Sequence, residues 1–179
     1  MSGLLLVAAT EPELCGQPGL VCGVGPVEAA AATARALALD PPRAVLHVGL
    51  AGGRGLQPGA LVVGREATYV DLAAAIRVRS RAEPAVELLA AASAALPDAH
   101  VLPIATSAAV GRSDEEVVVE AMEGFGVLRA CELAGVPALE VRAISNEIGE
   151  GDRARWEIDT ALAALTDALS RLRVALERE

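Results

Sequence analysis

The sequence predicts an α/β protein: a single three-layer αβα domain over residues 1–179, with a mixed, mainly parallel central sheet. Three observations support this prediction. Short apolar runs alternate with longer Ala- and Leu-rich stretches of helical periodicity along the chain. Strands that alternate with helices usually form largely parallel sheets covered on both faces. No linker, repeat or low-complexity segment divides the 179 residues, a length that suits one domain.

Six short apolar runs, bounded by glycine, proline or acidic residues, are predicted strands. They are Leu4–Ala9, Leu20–Val24, Ala44–Val48, Ala60–Val63, Val101–Ala105 and Ala138–Ile144. Five stretches with apolar residues at helical spacing are predicted helices. They are Val27–Leu39, Pro84–Leu96, Glu115–Glu120, Gly124–Ala134 and Ile158–Leu176. Pro26 precedes the first helix and Gly135 follows the fourth, as expected of helix ends.

The composition excludes several classes of function. No apolar run reaches the ~18 residues of a membrane span, and no basic segment precedes Leu4, so no signal peptide is expected. The net charge of −9, without a basic cluster, argues against nucleic-acid and anionic-membrane partners. All 15 basic residues are arginine, which excludes lysine Schiff-base chemistry and the lysine of phosphate loops. Three cysteines without CxxC spacing favour a reducing compartment, and we expect a cytoplasmic protein.

Two glycine-rich segments follow predicted strands. Gly23–Glu28 opens the first helix, but Glu28 stands where a dinucleotide fingerprint has Gly or Ala, so a dinucleotide site is excluded. A ligand-approaching loop and a tight turn both remain open for this segment. Val48–Gly53 carries three glycines, which suits a flat ring or sugar lying on the backbone, or else a mobile loop. At the ends of parallel strands, both segments would line one crevice.

Three carboxylates and one amide are the candidates for chemistry. Glu11 and Glu13 follow the first predicted strand, and Glu123 lies between two predicted helices, where a helix N-cap is the alternative. Carboxylates from distant segments that face one sugar are typical of glycosyl transfer. Asn146 is the only asparagine of the chain, and its amide can both donate to and accept from a heterocyclic ring. A turn asparagine is the alternative.

Five segments in this order resemble the nucleoside phosphorylase and nucleoside hydrolase superfamily, of purine nucleoside phosphorylase-like fold. They are Thr10–Glu13, Cys22–Ala30, Val48–Gly53, Met122–Gly124 and Arg142–Asn146. Each is a weak signal alone, but five in order over most of the chain are a strong one. Within the superfamily, Ser145–Trp156 is most similar to the futalosine hydrolases. The resemblance implies hydrolysis of the N-ribosidic bond of futalosine, with release of hypoxanthine, in menaquinone biosynthesis.

The resemblance also implies roles for individual residues. Glu13 matches the carboxylate that positions or deprotonates the attacking water. Glu123 matches the one that binds the ribose 2′- and 3′-hydroxyls, and Met122 packs on the sugar. Asn146 stands where adenine-releasing nucleosidases carry Asp, and because its NH₂ can donate to O6 or N7, it favours hypoxanthine over adenine. Further substrate contacts are expected from Ala51, Gly52, Phe125 and Ser145, with Phe125 compensating for a base-stacking wall that looks trimmed between 104 and 122.

Two features bear on the nucleophile and on the 5′ side of the substrate. Leu50 stands where phosphorylases often carry Ser or Thr, so water is the expected nucleophile, although Arg54 keeps phosphate open. Futalosine carries a carboxyphenyl ketone group on the 5′ side of its sugar, hereafter the tail. A benzoate needs a cation and an apolar wall, for which Arg153, Arg155 and Trp156 are candidates. A solvated helix entry with one packed Trp is the alternative.

Expected partners and alternative functions complete the prediction. We expect a small-molecule nucleoside substrate, no cofactor, no metal, no nucleic acid and no membrane, and a homo-oligomer (dimer or larger), as is usual in this superfamily. His47 and His100 are predicted strand residues without a catalytic role. The alternatives are a methylthioadenosine/S-adenosylhomocysteine-type nucleosidase, a purine nucleoside phosphorylase, and a non-catalytic nucleoside-binding protein.

Overall fold

The computed structural model describes residues 2–72, 75–111 and 114–177. Within these ranges the chain forms eight strands, four α-helices and two short 3₁₀ turns. The strands are β1 (Ser2–Ala8), β2 (Leu20–Val21), β3 (Pro42–Gly53), β4 (Leu61–Tyr69), β5 (Arg81–Ala82), β6 (His100–Thr106), β7 (Val119–Ala121) and β8 (Ala138–Glu147). The helices are α1 (Pro26–Leu39), α2 (Val86–Ala95), α3 (Gly124–Ala134) and α4 (Ile158–Leu176), and the 3₁₀ turns are Glu11–Leu14 and Arg153–Arg155.

The strands form one mixed sheet whose centre closes on itself. Strand β3 pairs in parallel with β1 and β8, and at its end it pairs antiparallel with β7. Strand β8 pairs antiparallel with β4, β4 pairs in parallel with β6, and β6 pairs in parallel with β7. Strands β3, β8, β4, β6 and β7 therefore form a closed five-stranded barrel, with β1 and β2 extending from β3. The predicted mixed sheet is confirmed.

The helices cover the sheet in two pairs, and strand alternation explains why. Neighbouring residues of a strand point to opposite faces. Leu46 of β3 packs in a cluster with α2 and α4, whereas Val45 packs in a second cluster with α1 and α3. The apolar stripe of α4 is fully buried in the first cluster, at Ala161, Leu165, Ala168, Leu169, Leu172 and Leu176.

Two predicted elements differ from the observed ones. The predicted helix Glu115–Glu120 is wrong, because Val119–Ala121 form β7, hydrogen-bonded to both β6 and β3. The β-branched run Val117–Val119 favours a strand. Hydrogen bonding to β3 on one side and β6 on the other then stabilises β7 as a strand. The second glycine segment, Val48–Gly53, is not a loop but the last half of β3, paired along β8.

Helices α1 and α3 approach each other closely at Gly126. A Cβ built on Gly126 would lie 2.5 Å from the Pro26 carbonyl oxygen and 3.2 Å from the Ala30 nitrogen, so only glycine fits. Alanine normally stabilises a helix interior by ~1 kcal/mol over glycine. Here the contact with the backbone of α1 reverses the sign.

We predict that Gly126→Ala lowers the free energy of unfolding by about 1–3 kcal/mol, because the methyl group pushes α1 away from α3. Urea denaturation of the wild type and the variant measures the change. Gly151→Ala is the control, because its Cβ meets nothing within 4 Å. A Gly126→Ala protein as stable as the Gly151→Ala protein would contradict the close packing.

Candidate active site

A cavity of about 530 Å³ opens at the end of the sheet where β1, β3, β7 and β8 meet the start of α4. Of the site residues predicted from the sequence, eight line it: Glu13, Ala51, Gly52, Met122, Glu123, Asn146, Arg153 and Trp156. The structure therefore joins the glycine segment of β3, both candidate carboxylates and the asparagine at one place. The lining also includes Thr10, Leu50, Val110, Glu120 and Leu162.

Glu13 is held by three hydrogen bonds in the 3₁₀ turn that follows β1. Its Oε2 accepts from the Thr10 amide at 3.0 Å and from the Thr10 hydroxyl at 2.7 Å. Its Oε1 accepts from the Leu50 amide at 2.9 Å. Each carboxylate oxygen has two lone-pair positions. Both positions of Oε2 are used by Thr10, so Oε1 is the oxygen with a position left for a ligand or a water.

Glu123 is the N-cap residue of α3, the alternative that the sequence left open, but its side chain makes no capping hydrogen bond. Its Oε1 accepts from the Gly25 amide at 3.0 Å and its Oε2 accepts from Arg142 at 3.2 Å. Gly25 has φ +96°, a conformation that favours glycine. The first glycine segment therefore orients a carboxylate of the cavity.

Arg142 of β8 is the centre of a buried charged network that the sequence analysis did not assign. It is fully buried and donates to Glu140, Glu123, the Leu50 carbonyl and His47 Nε2. Burial opposes its charge, but the neighbouring carboxylates outweigh burial and raise its pKa. The alternation of Glu140, Val141 and Arg142 in a predicted buried strand was a usable signal, because charged residues are rarely buried without a partner.

His47 and Glu140 both contact Arg142, and burial shifts their pKa values in opposite directions. Burial, and then the charge of Arg142, holds the pKa of His47 well below 6.5. Because arginine only donates, His47 Nε2 is the acceptor, and Nδ1–H donates to the Val7 carbonyl at 3.0 Å. Burial raises the pKa of Glu140 although Arg142 opposes the shift. Within the described part of the chain, Glu140 Oε2 has no hydrogen-bond partner.

Gly49 of β3 allows Glu13 and Arg142 to approach each other. A Cβ at this position would lie 2.7 Å from Glu13 Oε1 and would overlap Arg142 Nη1. The Glu13 carboxylate and the Arg142 guanidinium therefore share the space that a side chain at position 49 would fill. This explains a glycine in the middle of a buried, paired strand, where glycine otherwise weakens the structure.

Asn146 has a defined amide orientation. The Ser145 hydroxyl donates to Asn146 Oδ1 at 2.8 Å, and Asn146 Nδ2 donates to the Glu147 carbonyl at 3.0 Å. The carbonyl can only accept, so the nitrogen must face it. Ser145 is buried and does not line the cavity. Its hydroxyl orients Asn146, whereas the sequence motifs predicted a contact with the substrate.

The cavity lining also includes apolar side chains and one cation. Trp156, Ile158 and Leu162, before and within the start of α4, line it together with Arg153. The Arg153 guanidinium lies 5.2 Å from the centre of the Trp156 ring, and Trp156 Nε1 donates to the Glu150 carbonyl. Arg153 forms no ion pair with any described carboxylate.

Two predicted substrate contacts lie outside the cavity. Arg155 pairs with Glu150 at 3.0 Å, and its side chain is 72% exposed. Phe125, in the first turn of α3, stacks on Tyr69 with ring centres 5.6 Å apart, and neither ring lines the cavity. Among the described residues of the segment between 104 and 122, Val110, Glu120 and Ala121 line it.

Other reactive groups near the cavity do not supply a nucleophile or a metal site. Burial raises the pKa of Cys22 to about 11, so its thiol is uncharged at neutral pH. No group of three or more His, Cys, Asp or Glu side chains among residues 2–72, 75–111 and 114–177 is placed to hold a metal ion. Nor does the described chain contain a helix long and apolar enough to cross a membrane.

We predict that His47 contributes to the pH dependence of stability. In the unfolded chain it takes up a proton near pH 6.5, but in the folded protein it stays neutral beside Arg142. The free energy of unfolding therefore falls as the pH drops below 6.5, by up to ~1.4 kcal/mol per pH unit from this group. His47→Gln removes the contribution.

Urea denaturation between pH 5 and 7.5 measures both proteins. The raised pKa of Glu140 acts in the opposite direction but is present in both, so the difference between the slopes reports His47. Parallel slopes would show that His47 takes up its proton in the folded state as readily as in the unfolded chain.

The comparisons with known proteins agree on one superfamily. A family model described as "Phosphorylase superfamily" matches residues 14–178. A futalosine hydrolase of Streptomyces coelicolor is 40% identical over 185 residues, which cover 88% of this chain and 79% of that protein. The resemblance predicted from the sequence motifs is confirmed.

Solved structures share the fold at lower identity. A futalosine hydrolase of Helicobacter pylori superposes with a TM-score of 0.84 at 17% identity, covering 96% of this chain and 97% of that one. The methylthioadenosine/S-adenosylhomocysteine nucleosidase of Neisseria meningitidis, in complex with methylthio-immucillin-A, superposes with a TM-score of 0.81 at 21% identity, covering 96% and 98%. At these identities the likeness shows the fold. Together, the motifs, the cavity and the relatives show that the chain belongs to the phosphorylase superfamily, and within it to the futalosine hydrolase family of nucleosidases.

Proposed function

We propose that this protein hydrolyses the N-ribosidic bond of futalosine and releases hypoxanthine, as a step of menaquinone biosynthesis, without a cofactor. The observation that carries the proposal is the composition of one cavity. Two sets of side chains line it: Glu13, Glu123 and Asn146, and Arg153 and Trp156. The first set suits a ribose and its base, and the second suits an aromatic acid.

The hydrolysis needs a base for the attacking water. Water adds its oxygen to C1′ of the ribose, the C1′–N bond breaks, and the electron pair of that bond leaves with the base. The base departs as an anion and takes up a proton from solvent to become hypoxanthine. Glu13 Oε1 takes the proton of the water, because Thr10 already saturates Oε2. Leu50 offers only its backbone amide to Glu13, and no phosphate-binding hydroxyl at this position of the lining.

Positive charge develops on the ribose as the bond breaks, and Glu123 and Glu13 stabilise it. Glu123 also accepts hydrogen bonds from the hydroxyls of the ribose, and Met122 packs beside the sugar. Gly25 and Arg142 hold the Glu123 carboxylate from two sides, so it is oriented before the substrate binds. Such preorganisation is what makes electrostatic stabilisation effective.

Asn146 orients the leaving base. Its Nδ2 points one hydrogen at Glu147 and has a second hydrogen for O6 or N7 of a 6-oxopurine. Negative charge accumulates on the base as it leaves, and this donor stabilises it. An asparagine does not deliver a proton to the base as an aspartic acid would, which favours hypoxanthine, the better leaving group of the pair.

We assign the tail to Arg153 and the apolar side chains that line the cavity with it. The carboxylate of the tail pairs with Arg153, and its ring lies along Trp156, Ile158 and Leu162. A guanidinium that stacks on an indole is already positioned for a planar carboxylate.

We infer further that residues 1–179 act as one three-layer αβα domain, because the cavity takes residues from both ends of the chain, Ala9 and Leu162.

We also propose that the protein is a cytoplasmic homo-oligomer. Val24 and Val110 line the cavity yet are 55% and 52% exposed, as expected of a cavity edge that a second subunit covers. The cysteines Cys15, Cys22 and Cys131 are unbridged.

The first test follows hypoxanthine release from futalosine in phosphate-free buffer and again with phosphate. We expect release without phosphate, and a loss of kcat of about 10²–10⁴-fold in Glu13→Gln. Glu11→Gln is the matched control, since Glu11 lies in the same 3₁₀ turn but is exposed and outside the cavity.

Each alternative function has its own outcome in this assay. Release only with phosphate would indicate a phosphorylase, and release only of adenine from methylthioadenosine would indicate the related nucleosidase. Hypoxanthine binding without turnover would indicate a nucleoside-binding protein.

The tail assignment is tested by Arg153→Ala. We expect KM for futalosine to rise about 10-fold or more, because a charge-assisted hydrogen bond is lost, with little change for inosine, which lacks the tail. Arg155→Ala, made in parallel, distinguishes the two arginines, since Arg155 pairs with Glu150 at the surface. Equal effects of Arg153→Ala on both substrates would refute the assignment.

A further inference from the structure

Glu140 is a buried carboxylate that the proposed reaction does not use. It lies on β8, is 1% exposed, and does not line the cavity. Its Oε1 accepts from Arg142 Nε at 2.8 Å, while its Oε2 has no hydrogen-bond partner in the described part of the chain. Glutamate is almost never this buried unless it is paired. Any effect of Glu140 on the cavity therefore passes through Arg142.

Arg142 stands between Glu140 and the cavity. Strand β8 runs toward the cavity, because Asn146 near its end lines the cavity, whereas Glu140 and Arg142, earlier in the strand, do not. Arg142 binds Glu140 through Nε, at the base of its guanidinium, and binds the cavity residue Glu123 through Nη2, at the tip. One carboxylate therefore lies behind the guanidinium and the other lies in front of it.

The guanidinium is closer to the carboxylate behind it. The contact with Glu140 is 2.8 Å long, and the contact with Glu123 is 3.2 Å long. Glu13 Oε1 faces the same guanidinium across position 49. Because arginine keeps its charge in proteins, without Glu140 that charge would act on Glu123 and Glu13 alone. These are the two carboxylates that stabilise the positive ribose in the proposed reaction.

Two contacts favour the charged form of Glu140. A Cβ on Gly124 would overlap the Glu140 carboxylate, so the carboxylate lies against the first residue of α3, where the helix dipole favours a negative charge. Burial raises the pKa of Glu140, but the guanidinium of Arg142 opposes that rise. A distance of 2.8 Å is typical of a charge-assisted hydrogen bond between arginine and a carboxylate.

We propose that Glu140 is the counter-ion of Arg142, which lets Arg142 orient Glu123 without cancelling the negative charge that the ribose cation needs. The charge cluster, defined as Glu123, Arg142 and Glu140, has two negative charges and one positive charge, a net charge of −1. Without Glu140 the sum is zero. Glu140 is a positioning residue, because it acts through Arg142. The inference rests on the proposed function, since it concerns the same cationic ribose.

Glu140→Gln removes the charge and keeps the size of the side chain, and its amide oxygen can still accept from Arg142 Nε. We expect kcat for futalosine to fall about 10- to 100-fold while KM changes less than about 3-fold, because the ribose is positive only near the transition state. Glu66→Gln is the matched control. Glu66 also pairs with an arginine, Arg81, and does not line the cavity, so kcat and KM should stay as in the wild type.

Two ligands that cannot be hydrolysed measure the effect of the charge directly. 9-Deazainosine joins its base to the ribose through carbon, and its iminoribitol counterpart has a protonated ring nitrogen in place of the ring oxygen. Titration calorimetry at slightly acidic pH gives the ratio of their dissociation constants. We expect the preference for the cation to fall about 10-fold in Glu140→Gln, with little change for the neutral ligand. An unchanged ratio, or weaker binding of both ligands by one factor, would overturn the proposal.

The double variant Glu140→Gln/Arg142→Gln separates charge balance from side-chain contacts, and its result stands even if the single variant does not fold. Replacing both members of a buried ion pair leaves neither charge unpaired. Glu123 alone then restores the net charge of −1. We expect the preference for the cation to stay within about 3-fold of the wild type, because the ratio cancels contacts that both ligands lose. A ratio about 10-fold lower would show that contacts of Arg142 set the preference, and the counter-ion role would fail.

The calorimetry distinguishes this inference from the proposed function, because it needs no turnover. A wild type that releases no hypoxanthine would contradict the proposed function. A preference for the cation that is lost in Glu140→Gln and kept in the double variant would still support the role of Glu140. Conversely, a wild type without any preference for the cation would refute the inference even if it hydrolysed futalosine.

Discussion

The site depends on one buried guanidinium. Arg142 is withdrawn from water and would be strongly destabilising without partners, but Glu140, Glu123 and the Leu50 carbonyl all accept from it. Neutral His47 accepts as well, which its own burial makes possible. Because these partners come from β3, β8 and the start of α3, a single side chain fixes three elements that face the cavity. The orientation of Glu123 follows from this arrangement.

Glycines occur where charged groups from neighbouring elements need the space of a side chain. Gly49 lies under Glu13 and Arg142, and a Cβ on Gly124 would overlap the carboxylate of Glu140. Gly25 adopts a positive φ and turns its amide toward Glu123. In this fold, therefore, glycine-rich segments position protein carboxylates. Gly52 likewise leaves room for protein groups, because Asn146 Nδ2 and the Ile148 side chain lie 3.2 and 3.3 Å from where its Cβ would be.

Much of this arrangement could be predicted from local sequence. The alternation of apolar strands and helices indicated the α/β class, and the motifs around Glu13, Glu123 and Asn146 indicated residues that do line one cavity. What could not be predicted depends on pairing between distant strands. Val119–Ala121 became a strand because β3 and β6 flank it, and Glu120 entered the cavity with it. Arg155 and Phe125 have suitable side chains, but Glu150 and Tyr69 hold them elsewhere.

In the closed barrel, the distance between two cavity positions does not depend on which side chains occupy them. The interval between positions 120 and 146 is set by backbone hydrogen bonds on both sides of β3, which do not depend on the side chains at its ends. Substituting either residue would therefore change the chemistry of the cavity wall while the backbone spacing stays constant. A scaffold of this kind can change the polar groups that line its cavity by single substitutions without losing its fold. The solved structures at 17% and 21% identity share this fold although most of their side chains differ from those of this chain.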